Sequence, residues 1–171
     1  SGETATDHLV YEAYAEMVRS EYLRRVFAET KILAGEGDME RWYSLLDDPG
    51  YYERLKDRVE IEFAPTQRRS FSATEPVTLE VDVKNVKKLL IKVFEINTLN
   101  YYQALDREVD ASINLDGLIA NEELTREYDE SALRRVRRRF DLATLQKPGV
   151  YVVELIGNGL SSRAVIHKGQ L

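Results

Sequence analysis

Cysteine is absent from the 171 residues. That excludes disulfides, thiolate metal sites, a cysteine nucleophile and an internal thioester within the chain. It leaves the compartment open, because a secreted protein with a sufficient core needs no disulfide. No run approaches the ~20 apolar residues of a membrane-spanning helix. The opening Ser1-Gly2-Glu3-Thr4 lacks the basic-then-apolar pattern of a signal peptide, and there is no Asn-x-Ser/Thr sequon. The patterns G-x-S-x-G, H-E-x-x-H and G-x-x-x-x-G-K-[ST] are missing too. Histidine occurs only as His8 and His167, at opposite ends of the chain and without neighbouring ligands or nucleophiles. Proline occurs four times (Pro49, Pro65, Pro76, Pro148), each time where an element is expected to end or begin.

What is present is a folding composition, 43% apolar and 32% charged. The net charge of −6 is unevenly spread. Residues 1–64 hold 15 acids and 8 bases, whereas residues 65–171 hold 15 acids and 16 bases. This asymmetry divides the chain into an acidic segment, 1–58, and a second part, 59–171.

The first part reads as two or three helices. From His8 to Ala34 apolar residues recur at Val10, Tyr14, Met17, Val18, Tyr22, Val26 and Phe27, spacings that gather them on one helix face. Asp7 suits an N-cap and Gly35 a C-terminal stop. Asp38 caps a second helix carrying Met39, Trp42, Tyr43, Leu45 and Leu46, which Asp48-Pro49-Gly50 is expected to end. Tyr51 to Arg58 holds two further helical turns. The aromatic side of these helices is a core face, with a docking surface as the alternative.

At Val59 the period drops to two: Val59, Ile61 and Phe63 alternate with Glu60 and Glu62. Further strands are expected at Val77–Val83, Leu89–Ile96, Val109–Leu115, Val136–Leu142, Val150–Ile156 and Arg163–His167. Gly157-Asn158-Gly159 marks a hairpin between the last two. The fold class is therefore mainly β with a helical N-terminal segment, the β part being an antiparallel β-sandwich (immunoglobulin/macroglobulin-like) of seven or eight strands.

Three patterns carry possible chemistry. Residues 112–123 match an EF-hand loop at Asn114, Asp116, Gly117 and Glu123, but Ser112 stands where the first carboxylate belongs. A plain turn is expected there, with no metal and no cofactor. Asp106, Glu108 and Asp110 share one face if they lie on a strand, the spacing of a carboxylate hydrolase site. Three like charges in a row are more simply a solvated edge, and the chain is read as not an enzyme. The run Leu133 to Phe140 holds five arginines, of which Arg135, Arg137 and Arg139 form a candidate polyanion grip. Its simpler account is compensation by the six acids of residues 116–130 across a short loop. The overall acidity speaks against nucleic acid as a partner.

The second part resembles a known module. Val77-Thr78-Leu79-Glu80-Val81-Asp82-Val83, Leu90 to Asn97, and Lys147-Pro148-Gly149-Val150-Tyr151-Val152-Val153-Glu154-Leu155 are similar to strands of a macroglobulin-like domain, as found in large alpha-2-macroglobulin family proteins, bacterial ones included. The resemblance covers residues 59–171. It implies a non-catalytic scaffold within a larger protein, contacting adjacent domains and, through the parent, a protease, in a periplasmic, cell-surface or secreted setting. The alternative is a carbohydrate- or surface-polymer-binding sandwich using Tyr101 and Tyr102 as an aromatic platform.

Overall fold

The structure, a computed structural model, describes residues 20–46, 48–106 and 108–169. Helix α1 spans Ser20–Ala34, so Asp7, His8 and the stripe from Val10 to Val18 lie outside the described residues. Gly35 stops α1 with φ +65°: its N–H reaches the Ile32 carbonyl and the Glu36 N–H that of Lys31, a Schellman closure. Asp38 then caps α2 (Met39–Ser44), its carboxylate accepting the N–H groups of Glu40 and Arg41. Asp48 and Pro49 do not merely end α2. Asp48 is the N-cap of α3 (Pro49–Asp57), and Pro49 sits in its first turn, where a missing N–H costs nothing.

These helices close around Ala28, Ile32, Trp42, Leu46 and Leu55, together with Leu133 from a distant part of the chain. Trp42 meets Phe27 edge-on at 5.6 Å and donates from Nε1 to the Glu36 carbonyl at 2.8 Å. The aromatic face is thus core over the described residues, with Tyr22 and Val26 left exposed.

Eight strands follow: β1 (Glu60–Phe63), β2 (Ser70–Phe71), β3 (Val77–Lys84), β4 (Lys88–Ile96), β5 (Glu122–Glu127), β6 (Arg135–Leu142), β7 (Gly149–Gly157) and β8 (Leu160–Lys168). They form a three-stranded sheet, β1-β3-β6, and a five-stranded sheet, β2-β8-β7-β4-β5. Pairing is antiparallel except for the two-residue β2–β8 ladder, which is parallel. The inner faces meet in one core that includes Leu79, Val81, Leu89, Ile91, Val153, Leu155 and Ile166. Each such side chain contributes about 1.5–3 kcal/mol of burial. Asn158 and Gly159 both have positive φ, the primed turn that joins β7 to β8.

The segment between β4 and β5 departs from the expected pattern. Helix α4 (Thr98–Leu105), N-capped by Asn97, stands in a region where no helix was expected, and Val109 to Leu115 is irregular rather than a strand. The alternating apolar residues have a different task. Ile113 and Leu115 fold onto Phe94, Val150, Val152 and Val165, covering the outer face of the larger sheet. Arg163 holds the cover down: Nη1 donates to the Ile113 carbonyl at 3.0 Å while Nε donates to Glu154 at 2.8 Å.

Candidate functional site

Strand β3 alternates strictly, with Val77, Leu79, Val81 and Val83 inward and Thr78, Glu80, Asp82 and Lys84 outward. Its neighbours obey the same pleat, so register writes charge in rows across the outer face of the small sheet. Glu60, Lys84 and Arg135 make one row; Glu62, Asp82 and Arg137 the next; Glu80 faces Arg139, and Thr78 faces Asp141.

Arg137 grips Asp82 through two parallel bonds, Nε at 2.9 Å and Nη2 at 2.8 Å. That bond, assisted by the charges of Arg137 and Arg135, holds the Asp82 carboxyl below its ordinary range. Arg135 reaches Glu62 at 2.9 Å and Glu60 at 3.2 Å. The same Glu60 receives Arg58 at 2.5 Å, and Arg58 also reaches Glu29 of α1 at 3.0 Å. Lys84 is buried and gives its ammonium protons to the carbonyls of Leu55 and Arg58. Burial pushes its pKa down. The helices are therefore fastened to the sheet by charge as well as by Leu133.

Above this ladder lies an open cleft of about 660 Å³. Thr30, Leu33 and Ala34 of α1 form one wall, Phe63 and Pro65 the other, and Asp82, Arg135 and Arg137 are also part of the lining. The arrangement suits recognition of a mixed apolar and charged surface.

Among the arginines of the expected grip, Arg135 and Arg137 are engaged by acids while Arg139 is 65% exposed in its side chain and reaches Asp141 at 3.4 Å. The neutralising acids are not those of residues 116–130, as the sequence suggested. They are Glu60, Glu62 and Asp82, since β6 pairs with β3 whereas β5 joins the other sheet. Arg138 does follow the expectation, pairing with Glu130 and stacking over the Tyr128 ring at 4.3 Å.

Tyr101 and Tyr102 diverge on α4. Tyr101 packs half-buried against the cover of the large sheet, and Tyr102 points outward. Asp106 sits in the left-handed region at the end of α4 and Asp110 accepts from the Ser112 N–H, so these acids are not aligned on a strand. Glu123 of the EF-like loop lies on β5 beside Lys92 at 3.2 Å, and Asn114 closes a local turn with the Asp116 N–H. Among the described residues no three His, Cys, Asp or Glu side chains group to hold a metal ion. No helix among them is long and apolar enough to cross a membrane. His167 lies on β8 opposite Val150. The sequence reading missed the cleft, whose walls come from α1 and from the β1 segment, separate parts of the chain.

Comparison with known proteins settles the resemblance. Residues 89–169 match the family model of the AbpF first immunoglobulin-like domain, and residues 6–59 match that of the Actin-binding protein F N-terminal domain. These matches overturn the macroglobulin reading, including its protease-trapping parent: the strands that suggested it are shared by immunoglobulin-like sandwiches in general. They give no support to carbohydrate binding either. The β part is an immunoglobulin-like sandwich behind a helical N-terminal segment. Over 162 residues, 94% of its length, the chain is 44% identical to Actin-binding protein F of Dictyostelium discoideum, of which it spans 7%.

Proposed function

We propose that this chain is a non-catalytic interaction module that binds actin. The 44% identity along nearly the whole chain to a protein named for actin binding carries this reading. The outer face of the small sheet supports it, because exposed Arg139 and half-exposed Arg137 stand beside an apolar-walled cleft. In this reading the helical part, residues 1–58, and the sandwich, residues 59–171, act together, since the cleft draws on both. Tyr101 and Tyr102 lie on the opposite layer and take no part.

Co-sedimentation with actin filaments tests the proposal. The chain is expected in the pellet in proportion to filament concentration, with binding that weakens as salt rises. Leu33→Asp, in the cleft wall, is expected to weaken pelleting about tenfold or more. A chain that stays in the supernatant at saturating filament concentration would sink the reading.

A further inference from the structure

We propose that the flank of the sandwich formed by β5 and β6 is a self-association surface on which a second copy of this chain docks by antiparallel strand pairing. The inference is independent of the actin reading. β1 of the small sheet lies against β8 and β7 of the large one, beside β2, so β1 and β2 hold one flank and β5 and β6 are the edges of the other. Among the described residues β6 pairs with β3 alone and β5 with β4 alone, so each has one side without a strand neighbour.

Their charges are opposite. β5 carries Glu122, Glu123 and Glu127 against Arg126, while β6 carries Arg135, Arg137, Arg138 and Arg139 against Asp141. Charge of one sign along an edge deters pairing between edges. Two edges of opposite sign on one flank invert that logic for a second copy. A two-fold axis parallel to the strands sets β6 of each copy beside β5 of the other and closes the assembly as a dimer. Strand direction permits it: β5 is antiparallel to β4, β6 to β3, and the chain reverses between β3 and β4 at Asn85, whose φ is +54°. β5 and β6 therefore run in opposite senses.

Face direction selects a register. Glu123, Thr125 and Glu127 share the outer face with Lys92, Leu90 and Lys88, and Arg135, Arg137 and Arg139 lie on the outer face of the small sheet. Placing Arg137 opposite Thr125 of the second copy sets Arg139 against Glu123 and Arg135 against Glu127. The Arg139 and Glu123 side chains are 65% and 54% exposed, and in the dimer each exchanges its present neighbour, Asp141 at 3.4 Å and Lys92 at 3.2 Å, for the other.

Sedimentation velocity of the chain alone, over a range of concentrations and salt, tests this. A dimer that grows with concentration and weakens with salt is expected. Arg139→Glu and Glu123→Arg are each expected to weaken association about tenfold, and the double variant to restore it to within about threefold of the starting chain. A monomer up to about 1 mM, a dimer indifferent to both reversals, or a double variant that stays monomeric overturns the proposal. Far-UV circular dichroism checks the fold of each variant. Glu123→Arg lies on the exposed outer face, so it carries the test should Arg139→Glu not fold.

Discussion

Lys84 and Arg58 are joined by a hydrogen bond of 2.7 Å, from the ammonium of the central strand of the small sheet to the backbone carbonyl of the residue that ends α3. A buried cation thus satisfies carbonyls that a helix terminus leaves open, Leu55 among them. Lys84→Met removes the donor and leaves those acceptors without a partner. A loss of about 1–3 kcal/mol in urea denaturation is expected.

The same lysine gives stability a dependence on alkaline pH. Burial lowers its pKa from the ordinary 10.5, so the unfolded chain keeps the proton to higher pH than the folded protein. Where the unfolded state binds more protons, stability rises with pH. The Lys84 contribution is therefore expected to grow across the window between the lowered value and 10.5. Comparing the native chain with Lys84→Met across that window isolates it, and a flat difference would refute the assignment.

Asp82 gives the opposite case on the acid side. Arg137 holds its pKa below the ordinary 3.8, so its stabilising contribution is complete above that value and disappears as pH falls through the lowered one. Asp82→Asn is expected to flatten part of the acid-side loss of stability, read from urea midpoints between about pH 6 and about pH 2. An unchanged slope in the variant would show that the ion pair contributes nothing there.

Leu133 precedes β6 but is buried in the helical core. Leu133→Ala is expected to destabilise by about 2–5 kcal/mol and to shift the fluorescence of Trp42, its companion in that core. If the helices and the sandwich unfold as one unit, tryptophan fluorescence and far-UV circular dichroism give one coincident transition. Two separated transitions would show that Leu133 and Lys84 fasten the parts too weakly to couple them.

Arg163 ties the cover of the large sheet through the Ile113 carbonyl. Arg163→Met is expected to speed amide exchange and proteolytic cleavage within residues 108–120 while leaving the β7–β8 ladder protected. Unchanged cleavage would mean that Ile113 and Leu115 hold the cover by packing alone.

How much of this was legible depended on how local the cause was. Gly35, Asp38 and the alternation of Val77 to Val83 act within a few residues, and each produced the element expected. β5 escaped because an edge strand buries little: Leu124 is the sole apolar residue in Glu-Glu-Leu-Thr-Arg-Glu. The alternation of Val109 to Leu115 misled because apolar residues covering a sheet from above need not lie on a strand. The arginine run announced itself, but its partners did not. Arg135 meets Glu62 across 73 positions and Arg137 meets Asp82 across 55, separations that only sheet register reveals.

The short β2–β8 ladder has a mechanical meaning. It is parallel, pairing Ser70 with His167 and Phe71 with Lys168, and it is closed by the His167 and Gly169 N–H groups on the carbonyls of Arg69 and Phe71. A pull that draws the chain before β2 and after β8 apart loads these bonds along the strands, together and in shear. An antiparallel hairpin pulled from its open end unzips one bond at a time. A module that closes its second and last strands in this way resists tension as a clasp, and the buried ammonium of Lys168 on the Glu75 carbonyl adds a third point of hold.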